Sequence, residues 1–292
     1  MTRALSFVLV SLCLIAPAAH AAAWCRLTTV DPPSGVACST QGIPLWWDHR
    51  CTSYALFEDY SKSIDPNDIR SAFQQSFATW TDVVCPDGHP IGFQVRQLEE
   101  TSTCDHASTL IDGTNIHTMV FLQEWGGLRS PDAFALTSTW NIQETGQILD
   151  VDMEINEADW TFELCPATGC TNGHVDLQNV ITHEAGHYFG LGHSVVANAT
   201  MFMTAGANET SKRDLEADDI EGICSAYPQG SLPDACDDAP WNGFAANLGC
   251  GDPLPKGCCS VAPGAQNASS RGVLSLVAAL AAIALGRSRR KR

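Results

Sequence analysis

The sequence predicts an α/β domain of the α+β kind: a twisted mixed sheet packed on two long helices, followed by a shorter C-terminal helix. Three observations carry that expectation. Apolar residues recur three and four positions apart from Ile69 to Val84 and again through 175–190, the period of a helix face. Between these stretches, residues 91–160 hold short apolar or alternating runs, the period of strands. Hydrophobic residues make up 45% and charged residues 17% of the 292 positions, which is globular composition and excludes a disordered or collagen-like chain.

Taken in order, residues 24–39 are irregular, with Pro32-Pro33 and Gly35. Ile43–Trp47 and Thr52–Phe57 read as strand material. Asp65 is an N-cap, Pro66 suits the first helical position, and Asp68 lies in the first turn. The apolar face of that helix is Ile69, Phe73, Phe77, Trp80 and Val84. Ile91–Val95 and Ile116–Leu122 follow as strands. Ile148, Val151, Met153 and Ile155 alternate with Asp150, Asp152, Glu154 and Asn156, which predicts a strand with one wet face at a sheet edge. The second helix spans 175–190 with Asp176 as N-cap. A last helix runs from about Asp214 to Tyr227, with Leu215, Ile220 and Ile223 inward. Trp46, Trp47, Trp125, Trp140 and Trp160 are expected to pack the core.

The two ends read as processing signals. Residues 1–23 combine Arg3, an apolar run from Leu5 to Ile15 and small-residue sites at Ala19-His20-Ala21 and Ala21-Ala22-Ala23, the pattern of a secretory signal peptide; a membrane anchor is the alternative. At the other end, 229–270 is rich in Cys, Pro and Gly and reads as a stapled linker. Residues 271–292 then hold an apolar run, Val273–Leu285, before Arg287, Arg289, Arg290, Lys291 and Arg292. That run spans a bilayer only marginally, and its basic end would remain cytoplasmic. Both ends place the body of the chain, 40–228, outside the cytoplasm. Cysteine usage agrees. Ten cysteines remain once Cys13, Cys258 and Cys259 are set aside, and an even number in an exported chain argues for disulfides. Cys165 with Cys170 closes a small loop, and Cys236 with Cys250 is a candidate staple.

Charge excludes one class of partner. Asp and Glu number 33 against 16 Lys and Arg, for a net charge of −17. Seven of those basic residues lie in the terminal segments, so the body is more acidic still. Such a surface repels phosphate backbones and argues against nucleic acid.

The chemistry is concentrated in His183-Glu184-Ala185-Gly186-His187-Tyr188-Phe189-Gly190-Leu191-Gly192-His193. His183 and His187 are one helical turn apart and share a face. Gly190 is a natural helix stop, and the turn after it can swing His193 back. Three imidazoles with a fourth position left to water is the ligand set of a catalytic zinc site. Glu184 is then placed as general base and acid for a zinc-activated water.

This run resembles the metzincin zinc motif H-E-x-x-H-x-x-G-x-x-H, and Ser194 after the third His is the matrixin pattern. Ala199-Thr200-Met201-Phe202-Met203 is similar to the family's Met-turn, which would make Met201 the floor of the zinc site. Residues 215–223 resemble the matrixin C-terminal helix. The resemblance implies a secreted or surface-attached zinc endopeptidase, monomeric, acting on protein or peptide substrates. It also implies a substrate laid along the edge strand near Ile148, with Phe202 and Met203 in the wall of the pocket after the cut. The tail, with Gly257-Cys258-Cys259, resembles a bacterial sorting signal of the MYXO-CTERM type; a plain membrane anchor is the alternative.

Departures from the family pattern are also legible. No His lies between His117 and His174, so the family's second, structural zinc is not expected. Asp150, Asp152 and Glu154 stand there instead, either as a solvated face or as hard oxygen ligands for Ca(2+). The family's inhibitory Cys segment is absent; Cys25 or Cys38 could cap the zinc, though disulfide pairing explains them more simply. Two other functions fit the scaffold. One is a silent binding module, against which an intact Glu184 argues. The other is a zinc hydrolase of non-peptide substrates, which the third His and the Met-turn do not favour.

Overall fold

The computed structural model describes residues 23–253, apart from 33–35, 37, 40, 111 and 128, together with the backbone of 279–281 and 284–285. The proposed signal peptide, the Cys258-Cys259 motif and the terminal Arg cluster lie outside the described residues. The elements are β1 (Cys25–Arg26), β2 (Cys51–Leu56), α1 (Pro66–Thr81), β3 (Gln94–Gln97), β4 (Thr118–Leu122), β5 (Ala135–Asn141) and β6 (Ile148–Asn156). They continue with β7 (Phe162–Glu163), β8 (Val175–Asp176), α2 (Leu177–Tyr188), β9 (Leu191–Gly192), β10 (Thr204–Ala205), α3 (Ala217–Ala226), β11 (Ala279–Ala281) and β12 (Ala284–Leu285).

The main sheet has the order β11-β5-β6-β4-β2-β3. β3, β2, β4 and β6 are parallel to their neighbours, whereas β5 is antiparallel to β6 and β11 antiparallel to β5. Both helices start as expected. The Asp65 side chain accepts from Asn67 N with Pro66 in the first turn, and Asp176 accepts from Asn179 N. α1 and α2 pack on the sheet through Phe73, Phe77, Trp80, Tyr188 and Phe189, all buried. The indole N–H groups of the two buried tryptophans there are paired: Trp80 Nε1 donates to Thr182 O at 2.8 Å and Trp47 Nε1 to Tyr188 O at 2.9 Å. Satisfying these groups matters because an unpaired buried donor costs about 1–3 kcal/mol.

Several expectations need correction. Val84 lies beyond the end of α1 and is exposed; Pro66 set the start of the helix, but its face ends at Trp80. Ile43–Trp47 makes only single bridges at Pro44 and Trp46, and Trp46 is exposed. The strand read at Ile91–Val95 forms later, at Gln94–Gln97. β6 is neither wet nor at an edge. All nine of its residues are buried, between β5 and β4. Its acids are covered by distant segments: Asp150 pairs with His117, Asp152 accepts from Ser108 N and Thr118 N, and Glu154 pairs with Arg129 and accepts from Ala107 N. Burial beside Asp150 pushes the Asp152 carboxyl well above the usual carboxylate range.

The cysteines pair as Cys25–Cys38, Cys51–Cys236, Cys85–Cys224, Cys104–Cys250 and Cys165–Cys170. The Cys165–Cys170 loop is as expected; the Cys236–Cys250 staple is not, since each of those cysteines bonds the body instead. Residues 229–253 are thereby drawn back onto the sheet, with bridges Asn115↔Phe244 and Gly113↔Pro253. Cys51 and Cys236 are 185 positions apart, and cross-linking so long a loop mainly restricts the unfolded chain. Replacing both with Ser should cost about 2–5 kcal/mol and lower Tm by roughly 5–15 °C. An unchanged melting curve would mean that this bond does not form in solution.

Candidate metal centre

α2 carries His183, Glu184 and His187, and all three are buried. Gly190 ends the run at φ +81°, a left-handed conformation that Gly adopts without penalty. A Cβ there would also lie 2.7 Å from Leu45 O. The chain then reverses through β9 and brings His193 to the other two. Ring centroids are 4.8 Å apart for His183–His187, 5.3 Å for His183–His193 and 4.8 Å for His187–His193. The three ligand nitrogens lie within 4.8 Å of one another.

The outer nitrogens are committed. His183 Nδ1 pairs with Thr200 O at 2.6 Å, and His187 Nδ1 with Leu191 O at 2.8 Å. A carbonyl only accepts, so each Nδ1 carries the proton and each Nε2 presents a lone pair. Neither of those two buried Nε2 atoms has a hydrogen-bond partner, an arrangement that is costly unless a ligand is meant to fill it. Burial and the neighbouring imidazoles hold both rings well below the usual histidine pKa, hence neutral. Neutral imidazoles with Nδ1 fixed by a carbonyl are what zinc requires. Two other groups of candidate ligands occur among the described residues, Cys104/His106/Cys250 and Glu163/Cys165/Cys170. Their cysteines are spent in disulfides, so neither can supply thiolates.

Glu184 Oε2 accepts from Thr137 Oγ1 at 2.6 Å. Thr137 belongs to β5, so the carboxylate is tied to the strand at the edge of the body's own sheet. Met201 lies beneath the helix, held by its own N–H to Asp219 Oδ1 (2.9 Å) and by its carbonyl to Ser194 N (2.8 Å). Asp219 also takes Thr200 N at 2.7 Å. Lys212 is buried, and its Nζ donates to Ala199 O, Thr200 O and Phe202 O at 3.1, 3.2 and 2.9 Å. Burial lowers its pKa to about 8. Asp219 and Lys212 therefore clamp the Met201 turn from both its amide and its carbonyl sides.

Gly186 explains itself at this contact. A Cβ would meet Met201 Sδ, Met201 Cε at 3.0 Å and Trp80 Cζ2 at 2.8 Å. Gly186→Ala should therefore cost about 1–3 kcal/mol through overpacking. It should also weaken zinc affinity, since the displaced side chain lies against the helix that carries two ligands. Thermal melts with and without zinc test this, and equal stability of variant and parent would contradict it.

Ile148 sits apart from this cluster. It begins the interior strand β6 and packs in the core near Gly190, so it cannot line a groove; alternation alone misassigned the edge, which belongs to β5. Phe202 and Met203 are half-buried in the turn before β10, next to Met201. Sequence reasoning missed Thr137, Asp219 and Lys212. Asp219 had a visible signal, as an acid within the predicted helix 214–227; Thr137 and Lys212 had none, because their partners are set by tertiary contacts.

The family model described as Matrixin matches residues 46–228. Metalloendoproteinase 1-MMP of Arabidopsis thaliana is 27% identical over 195 residues, covering 62% of this chain and 44% of that protein. Macrophage metalloelastase of Oryctolagus cuniculus is 28% identical, covering 67% and 39%, and neutrophil collagenase of Homo sapiens 25%, covering 69% and 37%. The chain thus spans less than half the length of these relatives.

Proposed function

The chain belongs to the matrixin family, and on that premise we propose that it is an exported zinc-dependent endopeptidase that hydrolyses peptide bonds in protein substrates. The observation that carries the proposal is the convergence of His183, His187 and His193 with Glu184 alongside.

The donor set fits zinc: three imidazole nitrogens, two of them on neutral rings with their other nitrogen fixed by a carbonyl. When bound, zinc lowers the pKa of water to about 7 and polarises a carbonyl. Glu184 takes the proton of the attacking water and delivers it to the leaving amine nitrogen. Thr137 holds the carboxylate in place for both transfers. The substrate lies extended beside β5, bonded through its main chain as an added strand, with Phe202 and Met203 flanking it beyond the cut. The buried protein core around α2 excludes water from the imidazoles' outer nitrogens.

Calcium at Asp150, Asp152 and Glu154 would have to displace Arg129 and backbone donors that those carboxylates already hold. Export is supported by the signal-like residues 1–23 and by five disulfides, which persist in oxidising compartments. Attachment to the cell surface would come through 271–292. No helix among the described residues is long and apolar enough to cross a membrane.

The test is cleavage itself. Zinc-loaded protein incubated with casein should release peptides with new amino termini, and a family of cut sites should share a preference after the cut. Intact casein after prolonged incubation with protein shown to hold zinc would favour the silent binding module.

A further inference from the structure

Three consecutive carbonyls at the end of α2 are each taken by a distant side chain. Trp47 Nε1 donates to Tyr188 O at 2.9 Å, the Tyr227 hydroxyl to Phe189 O at 3.0 Å, and Arg26 Nε to Gly190 O at 3.3 Å. Arg26 comes from β1, and Tyr227 directly follows α3. The same three side chains line a cavity of about 280 Å³, together with Trp46, Ser231 and Leu232. Among the described residues that line it, Arg26 is the only charged one. Its guanidinium donates to Gly190 O and Leu45 O, and no carboxylate among the described residues pairs with it. Burial draws its pKa below the usual arginine value. Carbonyls at a helix end favour a cation, but they do not cancel a full charge, and a part-buried cation without a counter-ion is costly. Two donors remain for a ligand: among the described residues, neither Arg26 Nη1 nor the Ser231 hydroxyl makes a hydrogen bond. The rest of the wall is apolar, and Ile43 and Trp46 are exposed at it.

We propose that this cavity is a second binding site, which takes the free α-carboxylate of a peptide ending in an apolar residue. The site goes beyond the peptidase reading and does not depend on it. Charge complementarity selects the carboxylate, which meets the unpaired Arg26 in a charge-assisted hydrogen bond. The Ser231 hydroxyl serves its second oxygen. The aromatic and aliphatic wall selects an apolar last side chain, as in ligand pockets generally. A free amino acid would bring an ammonium group against the same wall, beside Arg26, so the occupant is a peptide whose last nitrogen is an amide. Occupancy also reaches α2. A ligand that binds only the folded arrangement stabilises it, and here that arrangement includes the bonds that hold Tyr188, Phe189 and Gly190, between His187 and His193.

The test titrates the full chain with acetyl-Ala-Ala-Leu, using its C-terminal amide as the control. It is run first after chelation, so that no carboxylate can bind a metal, and then with zinc restored. The readout is the Trp46 indole N–H resonance, assigned by its loss in Trp46→Phe. The acid should shift that resonance to saturation in both forms. The amide should bind about tenfold or more weakly, because it lacks the charged pairing. In the same titration, hydrogen exchange should slow at the amides of Leu27 and Gly190, which donate to Gly190 O and His187 O at 2.9 Å each. Ser231 is exposed, so Ser231→Glu should fold as the parent does. It puts the chain's own carboxylate beside Arg26 and should abolish the response to the acid. Arg26→Gln should erase the preference for acid over amide; if that variant does not fold, Ser231→Glu decides alone. Equal binding of acid and amide, or acid binding that survives Ser231→Glu, overturns the proposal. So does an unmoved Trp46 resonance at about 10 mM acid, a concentration that would reveal even millimolar affinity. Free leucine binding as tightly as the peptide would overturn the choice of occupant.

Discussion

Glu184→Gln is expected to keep the fold and the zinc and to reduce peptide hydrolysis by about 10²–10⁴-fold. The substitution is close to isosteric, and an amide oxygen can still accept from Thr137 Oγ1, as the Oε2 atom does at 2.6 Å. Only the basic lone pair and its proton transfer are lost. Glu184 is buried on α2 between residues that pack in the core, so a larger change would confound folding with chemistry. The measurement is kcat/KM on a peptide, alongside zinc content and a melting curve. A variant that holds zinc and cleaves as fast as the parent would show that another group moves the proton.

His187→Ala is expected to abolish both zinc binding and hydrolysis, because two imidazoles make a poor site for a metal that takes four ligands. The apoprotein should lose some stability as well, about 1–3 kcal/mol: His187 Nε2 has no hydrogen-bond partner, but Nδ1 donates to the carbonyl of Leu191 at 2.8 Å, and the change leaves that carbonyl unpaired. The informative comparison is therefore the zinc-dependent rise in Tm. A ligand that binds only the folded state stabilises it by mass action, so the parent's Tm should climb with zinc while the variant's should not. Equal zinc stabilisation of the two proteins would remove His187 from the ligand set.

How much of this was legible in the sequence follows from the range of the interactions. α1 and α2 were visible because their caps, Asp65 with Pro66 and Asp176, act within a few residues. The three histidines were visible for the same reason: one helical turn and one glycine stop define their relation. The acidic strand misled because alternation reports two faces, and a charged face reads as wet. Here Asp150, Asp152 and Glu154 are matched by His117, Thr118, Ser108 and Arg129, residues far away in sequence that only the fold brings together. Disulfide pairing failed likewise: Cys236 and Cys250 are neighbours in sequence, but the chain crosses the sheet between them. Thr137 carried no signal, since a threonine in a β-strand is ordinary until an acid lies against it. The C-terminal apolar run reads equally well as a membrane signal or an added strand, because both need only an uncharged segment.

The central claim is that His183, His187 and His193 hold one catalytic zinc. The direct measurement is metal content and peptide hydrolysis on a single preparation of the full chain, before and after a zinc chelator and again after zinc is returned. The account predicts about one zinc per chain, with hydrolysis lost on chelation and recovered on adding zinc. Folded protein that carries no zinc, or hydrolysis that persists through chelation, would contradict it.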